Sequence, residues 1–316
     1  MRRDAAMLSY VGLSRKPSLF RPFTGLSVVE FDRLYVFVEG EYVVFERRRL
    51  GRKDRVNVVG QGRRFKLNLM DRLLMLLVYH RLYVTYTLVG FMFDLDQSNV
   101  YRNIQHLTRL VKKCVPLPQK VHKRVRRLRT MEEVQEYFPE LKAVLDSTEQ
   151  EIPRPRNKRR RKSHYSGKKK KHTVKTQMLV NKYGVIIHKT RYEWGSIHDY
   201  DIWKKTHPVV PPNVGVDADL GYLGIQKDYP QLKTHLPIKK RKGKRLNKKA
   251  RRHNRLLSRE RVIVEHVIGA VKKYKIIGQE FRNRLRHYND KMDIVTGLVN
   301  FTTMLSRGMN VASYMG

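Results

Sequence analysis

The hydrophobic pattern of this chain changes near residue 141, and this change limits the folds that the chain can adopt. Between residues 66 and 114 apolar residues recur at helical spacing, as in LNLMDRLLMLLVYHRL, which predicts helices. From residue 141 onward the pattern predicts KAVLDSTEQEI as a strand, HTVKTQMLVN with GVIIHKTRYEW as a hairpin, IHDYDIWKKTH as a helix and VGVDADLGYLGI as a buried strand. We therefore expect an α/β fold that follows a helical region.

These patterns divide the chain of 316 residues into four regions. In the N-terminal segment, residues 1–65, the stretch RLYVFVEGEYVVFERRRLG (33–51) has the pattern of a β-hairpin. The other three regions are a helix-turn-helix region at 66–120, a linker with a short helix at 121–140, and an α/β region at 141–316 that carries a basic insertion at 239–255. Thr130 and Glu133 have the spacing of a capping box, which predicts the start of the short helix.

The charge balance is strongly basic, with 68 Lys and Arg against 28 Asp and Glu and a net charge of +40. A charge of this size favours polyanions, and nucleic acid is the first candidate, although a ribosomal or chromatin protein would show the same bias. The single cysteine, Cys114, excludes an internal disulfide and an all-cysteine metal site. Charged residues interrupt the apolar stretch at 67–93, which argues against a transmembrane helix.

The segment TYTLVGFMFDLDQSNVYRNIQHLTRLVKKC has the layout of a helix-turn-helix. Residues 87–93 form the expected first helix, residues 94–96 the turn, and Ser98 the expected N-cap of the second helix. The apolar residues expected to point inward are Val100, Ile104, Leu107 and Leu110, and those expected to point outward are Gln97, Asn99, Tyr101, Arg102, Asn103 and Gln105. Ser98, Asn99 and Arg102 are therefore candidate DNA contacts. An ordinary helical hairpin is the alternative.

Three carboxylates stand out within the α/β region. Asp146 and Asp219 end two predicted strands, and Glu265 lies on a predicted helix, SRERVIVEHVIGAVKKYK. If the strands are neighbours, the two aspartates share one edge of the sheet, where their mutual repulsion favours bound cations. Oxygen ligands suit Mg²⁺ or Mn²⁺, and two ions about 3.5–4 Å apart promote displacement at a phosphodiester. The alternative is that each aspartate is a solvated turn residue.

The helix that carries Glu265 has one polar stripe on an otherwise apolar surface. At about 100° per residue, Ser258, Arg261, Glu265 and Lys272 project from the same side. Either Arg261 and Glu265 form an i,i+4 ion pair, or Glu265 is a metal ligand and Arg261 and Lys272 bind phosphates. The spacing alone leaves both interpretations open.

Basic runs lie on either side of Asp219. One run is GKKKKH (167–172), and the other is KKRKGKRLNKKARRHNR (239–255). Their candidate DNA-binding residues are Lys168, Lys169, Lys170, Lys171, Lys239, Lys240, Arg241 and Lys242. Contacts of this kind bind phosphates and position DNA without reading its sequence. We interpret Trp194, which lies between the two runs, as a core residue.

These segments resemble DDE transposases of the insertion-sequence 5 superfamily. LDSTEQEIPRPRNK is similar to the first catalytic block, GSIHDYDIWKK to the block after the hairpin, DADLGYLGI to the second catalytic block and RVIVEHVIGAVKKYKIIG to the last. The last block of the family carries Tyr, Arg, Glu and Lys at fixed spacing. Here Arg261, Glu265 and Lys272 occupy that spacing, and Ser258 stands where the family has Tyr.

The resemblance implies an RNase H-like mixed sheet flanked by helices, with Asp146, Asp219 and Glu265 holding two Mg²⁺ ions for which Mn²⁺ can substitute. It implies a transposase that cleaves and joins insertion-sequence DNA ends by two-metal transesterification. The expected partners are double-stranded DNA, both terminal inverted repeats and target, and further copies of the chain, without a membrane. The expected location is the cytoplasm, at the nucleoid of a prokaryote. A non-catalytic DNA-binding derivative and a hydrolytic DNA endonuclease are the alternatives.

Overall fold

The computed structural model of the protein describes residues 7–51, 65–240 and 242–314. Its helices are α1 (Tyr10–Ser14), α2 (Pro17–Thr24), α3 (Val28–Leu50), α4 (Leu69–Leu82), α5 (Tyr86–Phe93), α6 (Gln97–Val111), α7 (Pro118–Val125), α8 (Met131–Tyr137), α9 (Lys158–His164), α10 (Asp199–Thr206), α11 (Ile225–Asp228), α12 (Lys248–Lys272), α13 (Lys275–Gly278) and α14 (Tyr288–Ser306). Its strands are β1 (Lys142–Glu151), β2 (Tyr165–Ser166), β3 (Lys171–Asn181), β4 (Ile186–Lys189), β5 (Glu193–Trp194), β6 (Gly215–Asp217) and β7 (Thr234–His235).

The β-hairpin expected at 33–51 is wrong, because residues 28–50 form the single helix α3. A capping box starts this helix: the Ser27 hydroxyl accepts from the Glu30 N–H at 3.2 Å, and the Glu30 carboxylate accepts from the Ser27 N–H at 2.6 Å. Phe31, Leu34 and Val38 follow at helical spacing and are fully buried. The β-branched and aromatic residues of this segment favour strands, but packing against neighbouring helices decides the conformation.

The predicted helix-turn-helix is confirmed as α5 and α6. Asp96 rather than Ser98 is the N-cap of α6, so the predicted start was two residues late. The turn between the helices packs closely against α5 at Gly90, where a Cβ would lie 2.3 Å from the Leu95 carbonyl oxygen. Asn103 was expected to point outward, but it is buried and accepts from Arg72 Nε at 2.6 Å. It lies on the buried side because it is three residues after Val100.

The C-terminal half contains a mixed sheet with the strand order β2-β3-β1-β6-β7, and β4 and β5 also pair with β3. β1 is antiparallel to β3 and parallel to β6, and β6 is parallel to β7. Helix α12 contacts β1, β3 and β6, and α10 contacts β3. The α/β class, with helices flanking a mixed sheet after a helical region, is therefore confirmed. The capping box of Thr130 and Glu133 also forms, at the start of α8.

The helical region packs directly onto the sheet region. Helix α4 contacts α13, and α6 contacts α14. Lys112, just after α6, forms ion pairs with Asp290 at 2.7 Å and Asp293 at 2.8 Å. One hydrophobic core consequently extends through both regions. The expectation that Trp194 is a core residue is wrong: its side chain is 47% exposed. It lies on the two-residue strand β5, which among the described strands pairs only with β3.

Candidate active site

Asp146 and Asp219 lie at one edge, where the pairing of β1 with β6 ends. Asp146 does not end its strand as predicted, because β1 continues to Glu151 through its pairing with β3. In the parallel pair of β1 and β6, Val144 lies opposite Asp217. Asp146 comes two residues after Val144, and Asp219 comes two residues after Asp217. The two segments therefore bring the aspartates to neighbouring positions. Asp217 itself is buried and bonded to His235 Nδ1 at 2.7 Å, which makes it part of the link between β6 and β7.

The Asp146 carboxylate lies in a partly buried, mostly acidic setting. Burial, with the nearby charges of Asp219 and Asp199, raises the pKa of Asp146 to about 6. The Ser147 N–H, which donates to Asp146 Oδ1 at 2.7 Å, and the Arg261 guanidinium, 3.9 Å from Oδ2, oppose this increase. The ionised carboxylate is therefore incompletely compensated by the surrounding protein groups.

Asp219 is fixed by the backbone that follows it. Its side chain caps a short 3₁₀ helix, Leu220–Tyr222, and accepts from the Gly221 N–H at 2.7 Å. A Cβ at position 221 would lie 2.8 Å from Asp219 Oδ1 and 3.3 Å from Asp199 Oδ2. Only glycine therefore leaves both carboxylates where they are.

Asp199 is a site residue that the sequence reasoning missed. It begins α10, and its Oδ1 accepts from Lys175 Nζ at 3.2 Å. Its position beside Asp219 follows from the packing of α10 against the sheet. The one available signal was the acidic start of the predicted helix in GSIHDYDIWKK, a segment already matched to the family.

A network of buried polar side chains lies next to Asp146, Asp199 and Asp219. The Tyr222 hydroxyl accepts from Gln177 Nε2 at 2.9 Å and lies 3.0 Å from Ser147 Oγ. Gln177 Nε2 also donates to the Asp199 carbonyl oxygen at 3.1 Å. These hydrogen bonds connect β1, β3, α10 and the segment after β6. Tyr222 and Gln177 are buried away from water, where such bonds hold their groups firmly in place.

Helix α12 brings Arg261 and Lys272 to this edge but leaves Glu265 exposed. Arg261 pairs with Asp146, so the Arg261–Glu265 ion pair considered from the sequence does not form. Burial and the nearby Lys169 lower the pKa of Lys272, while Glu149 and Asp146 raise it. Within the described parts of the chain, Glu265 forms no hydrogen bond or ion pair.

The residues at this edge fit a divalent metal ion in part. The donors are carboxylate oxygens, and a cation between Asp146 and Asp219 would offset the repulsion that contributes to the raised pKa of Asp146. Among residues 7–51, 65–240 and 242–314, however, no group of three or more His, Cys, Asp and Glu side chains is placed to hold a metal. The structure thus brings together two of the three predicted ligands.

Comparison with known proteins agrees with this geometry. Residues 145–300 match the family described as DDE superfamily endonuclease, and residues 65–117 match the helix-turn-helix of DDE superfamily endonuclease. A probable transposase for insertion sequence element IS702 from Microchaete diplosiphon is 33% identical over 246 residues, which cover 77% of this chain and 84% of that protein. This chain belongs to the DDE superfamily of transposases. No solved structure matches it.

In this DDE transposase the second helix of the helix-turn-helix offers polar side chains to solvent. Ser98 and Arg102 are exposed and Asn99 is half-buried. Asn99 and Arg102 line a groove together with Lys66, which pairs with Asp94 in the turn. The three candidate DNA contacts therefore lie on one accessible surface of α6.

The basic runs of the transposase are also accessible. Lys168, Lys169, Lys170 and Lys171 are exposed, as are Lys239, Lys240 and Lys242. Arg241 lies outside the described residues. Lys169 is close enough to Lys272 to influence its pKa, which places the first basic run beside the carboxylate edge. None of the helices in the described ranges combines the length and apolar character needed to cross a membrane.

Proposed function

We propose that this transposase cleaves and joins insertion-sequence DNA ends by metal-dependent transesterification at the edge formed by Asp146 and Asp219. The observation that carries the proposal is the parallel register of β1 and β6, which sets these two carboxylates side by side in a strongly basic protein. Family membership agrees with this chemistry.

In this proposal Asp146, Asp219 and Glu265 hold two Mg²⁺ ions, and Mn²⁺ can substitute. The bound metals would activate a water or 3′-hydroxyl and stabilise the leaving oxygen. The chain's own residues then have separate tasks. Arg261 and Lys272 bind the phosphate next to the carboxylates, and Tyr222, Ser147 and Gln177 keep the carboxylates in position.

The substrate in this proposal is double-stranded DNA, as terminal inverted repeats and as target. The helix-turn-helix region at 66–120 contacts it through Ser98, Asn99 and Arg102, and the runs at 168–171 and 239–242 bind its backbone. Because two ends have to be cut, we propose that a dimer or larger assembly forms on the DNA. The protein would act in the cytoplasm, at the nucleoid.

The test uses full-length protein and a labelled duplex that carries the inverted repeats bordering its gene. We expect Asp146→Asn, Asp219→Asn and Glu265→Gln each to lower Mg²⁺-dependent cleavage by roughly 10³-fold, because each removes a metal ligand. Duplex binding should stay close to that of the wild type. Asp201→Asn is the matched control, since Asp201 is an exposed carboxylate on α10.

The outcomes separate the candidate activities. Wild-type protein that binds the duplex but never nicks it with Mg²⁺ or Mn²⁺ would be a non-catalytic DNA-binding derivative. Protein that cuts without joining would be a hydrolytic endonuclease. Cleavage by Asp219→Asn at the rate of Asp201→Asn would refute the site.

A further inference from the structure

A second cluster of cationic side chains lies where the helix-turn-helix meets the sheet region. A cleft there is lined on one side by Tyr86 and Tyr101, from α5 and α6. On the other side it is lined by Arg284, Arg286 and Lys291, from the segment before α14 and its first turn. The cleft is separate from the carboxylate edge, and none of its lining residues has a part in the proposed catalytic function.

The lining has the chemistry of an anion site. Its other polar side chains are two amides and a histidine, and no carboxylate is among the described residues that line it. Arg286 Nε donates to His287 Nε2 at 3.1 Å, and the Tyr86 hydroxyl interacts with that of Tyr79 at 3.1 Å. Within the described ranges neither Arg284 nor Arg286 forms an ion pair, so both remain available to a ligand.

Lys291 is the most unusual member of this cluster. It is 1% exposed, and its Nζ reaches Thr108 Oγ1 at 3.3 Å and lies 5.8 Å from the centre of the Tyr79 ring. Burial lowers the pKa of Lys291 to about 8, although Asp290 opposes this effect. A buried cation without an ion-pair partner is costly, and an anion beside it would offset that cost.

Two nearby lysines show the usual arrangement. Lys189 pairs with Asp293 at 2.8 Å, and Lys112 pairs with both Asp290 and Asp293. The carboxylates of α14 are therefore engaged by these lysines. In the described part of the chain, Lys291 has no such partner, although it lies on the same helix.

We propose that this cleft binds a phosphate group through Arg284, Arg286 and Lys291. Arginine and lysine are the side chains that bind tetrahedral phosphate most strongly, and tyrosine hydroxyls can add hydrogen bonds. The phosphate can come from a DNA backbone or from inorganic phosphate. Tyr101, which lines the cleft, is next to Arg102 on α6. A DNA phosphate in the cleft would therefore let DNA that is bound by α6 also contact α14. That source rests on the proposed DNA-binding function.

The test compares four full-length proteins: wild type, Arg284→Gln/Arg286→Gln, Lys291→Met and the control Lys273→Gln/Lys275→Gln. The control removes the same charge as the double arginine variant, from two exposed lysines outside the cleft: Lys273, just after α12, and Lys275, the first residue of α13. Calorimetric titration with inorganic phosphate, against chloride of equal ionic strength, should give at least about tenfold weaker binding for both cleft variants. The control should match the wild type.

Lys291→Met also reports on folding, since replacing an unpaired buried cation by an apolar side chain should leave the melting midpoint in chloride equal or higher. A second arm measures duplex affinity against salt. If the cleft takes a DNA phosphate, the slope of log affinity against log salt falls by about one in the double arginine variant relative to the control.

The outcomes distinguish the sources. Loss of phosphate binding together with the reduced slope assigns the cleft to a DNA phosphate, and loss of phosphate binding alone assigns it to free phosphate. Equal phosphate affinity in all four proteins overturns the proposal. A wild type that binds phosphate but no duplex would contradict the proposed DNA function and still support the cleft.

Discussion

The edge of the sheet and helix α12 hold the predicted acidic residues in different ways. Asp146 lies within β1 and Asp219 just after β6, and each accepts a backbone N–H, at 2.7 Å in both cases. Glu265 is exposed on a helix and has no polar partner among the described residues. Hydrogen bonds of the strand ladder set the first two positions, while packing and side-chain contacts of α12 set the third.

Helix α12 packs on the sheet through the buried side chains of Val264, Val267 and Val271, whereas its polar contacts at this point are weak. Arg261 approaches Asp146 at 3.9 Å, the long limit of an ion pair, and Glu260 pairs with Lys182 and with Lys142. Such pairs stabilise weakly when they are partly exposed, and within the described residues Glu265 itself has no polar partner. The Glu265 side chain is therefore less strictly positioned than those of the aspartates. The two aspartates thus already lie side by side in the metal-free protein. The third predicted metal ligand depends on the position of the Glu265 side chain on α12.

The largest effect is expected from disturbing the ordered pair. Gly221→Ala places a methyl group against Asp219 Oδ1 and near Asp199, so the Asp219 carboxylate must leave its bond to the residue 221 N–H. We expect cleavage to fall by about 100-fold, which corresponds to a displaced catalytic group, while the protein remains folded. Cleavage of the end duplex with Mg²⁺, together with circular dichroism, measures this.

Gly269→Ala is the control for that substitution. Gly269 lies in α12, and a Cβ there would meet nothing within 4 Å. Alanine should leave cleavage unchanged and stabilise the helix by roughly 0.5–1 kcal/mol. Equal activity of the two variants would show that the position of Asp219 does not depend on the glycine.

A smaller effect, on stability, is expected from the buried charge of Asp146. Its pKa is about 6 in the folded protein, against an ordinary value of 3.8. Between these values the folded state binds more protons than the unfolded state, so the free energy of unfolding falls as pH rises. Above pH 6 the ionised carboxylate then costs about 2–3 kcal/mol.

Asp146→Asn should therefore be more stable than the wild type by about that amount at pH 7 without divalent metal, and equally stable at pH ~3, below the ordinary pKa of the carboxyl. Adding Mg²⁺ should stabilise the wild type and have little effect on the variant. Denaturant melts at both pH values, with and without Mg²⁺, measure the differences. If Asp146→Asn were less stable than the wild type at pH 7, the ionised Asp146 carboxylate would not destabilise the folded protein, and this explanation would be wrong.

The sequence predicted that Asp146 and Asp219 come close together if their strands are neighbours, and the parallel pairing of β1 with β6 places them so. It was wrong in placing Asp146 at the end of its strand, because β1 continues to Glu151 along β3. It could not predict Asp199, since its neighbours Lys175 and Gly221 are distant in sequence and meet only through packing of α10 on the sheet. Helical spacing gave the direction of Glu265 on α12 but not its distance from Asp146. The hairpin expected at 33–51 failed because strand-forming residues there have a helical burial pattern.

The smallest effect should come from the acid on the helix. Glu265→Gln changes an exposed side chain that has no polar partner in the described residues, so metal-free stability should stay within about 0.5 kcal/mol of the wild type at pH 7. The same variant is expected to lose cleavage, because the carboxylate is needed once metal binds. This combination separates Glu265 from Asp146, whose neutral variant gains stability as it loses activity. Denaturant melts of both variants in the presence of a chelator measure this difference. If Glu265→Gln changed the free energy of unfolding by about 2 kcal/mol or more, the Glu265 carboxylate would already stabilise the metal-free protein. The contrast between the aspartates on the sheet and the glutamate on α12 would then be wrong.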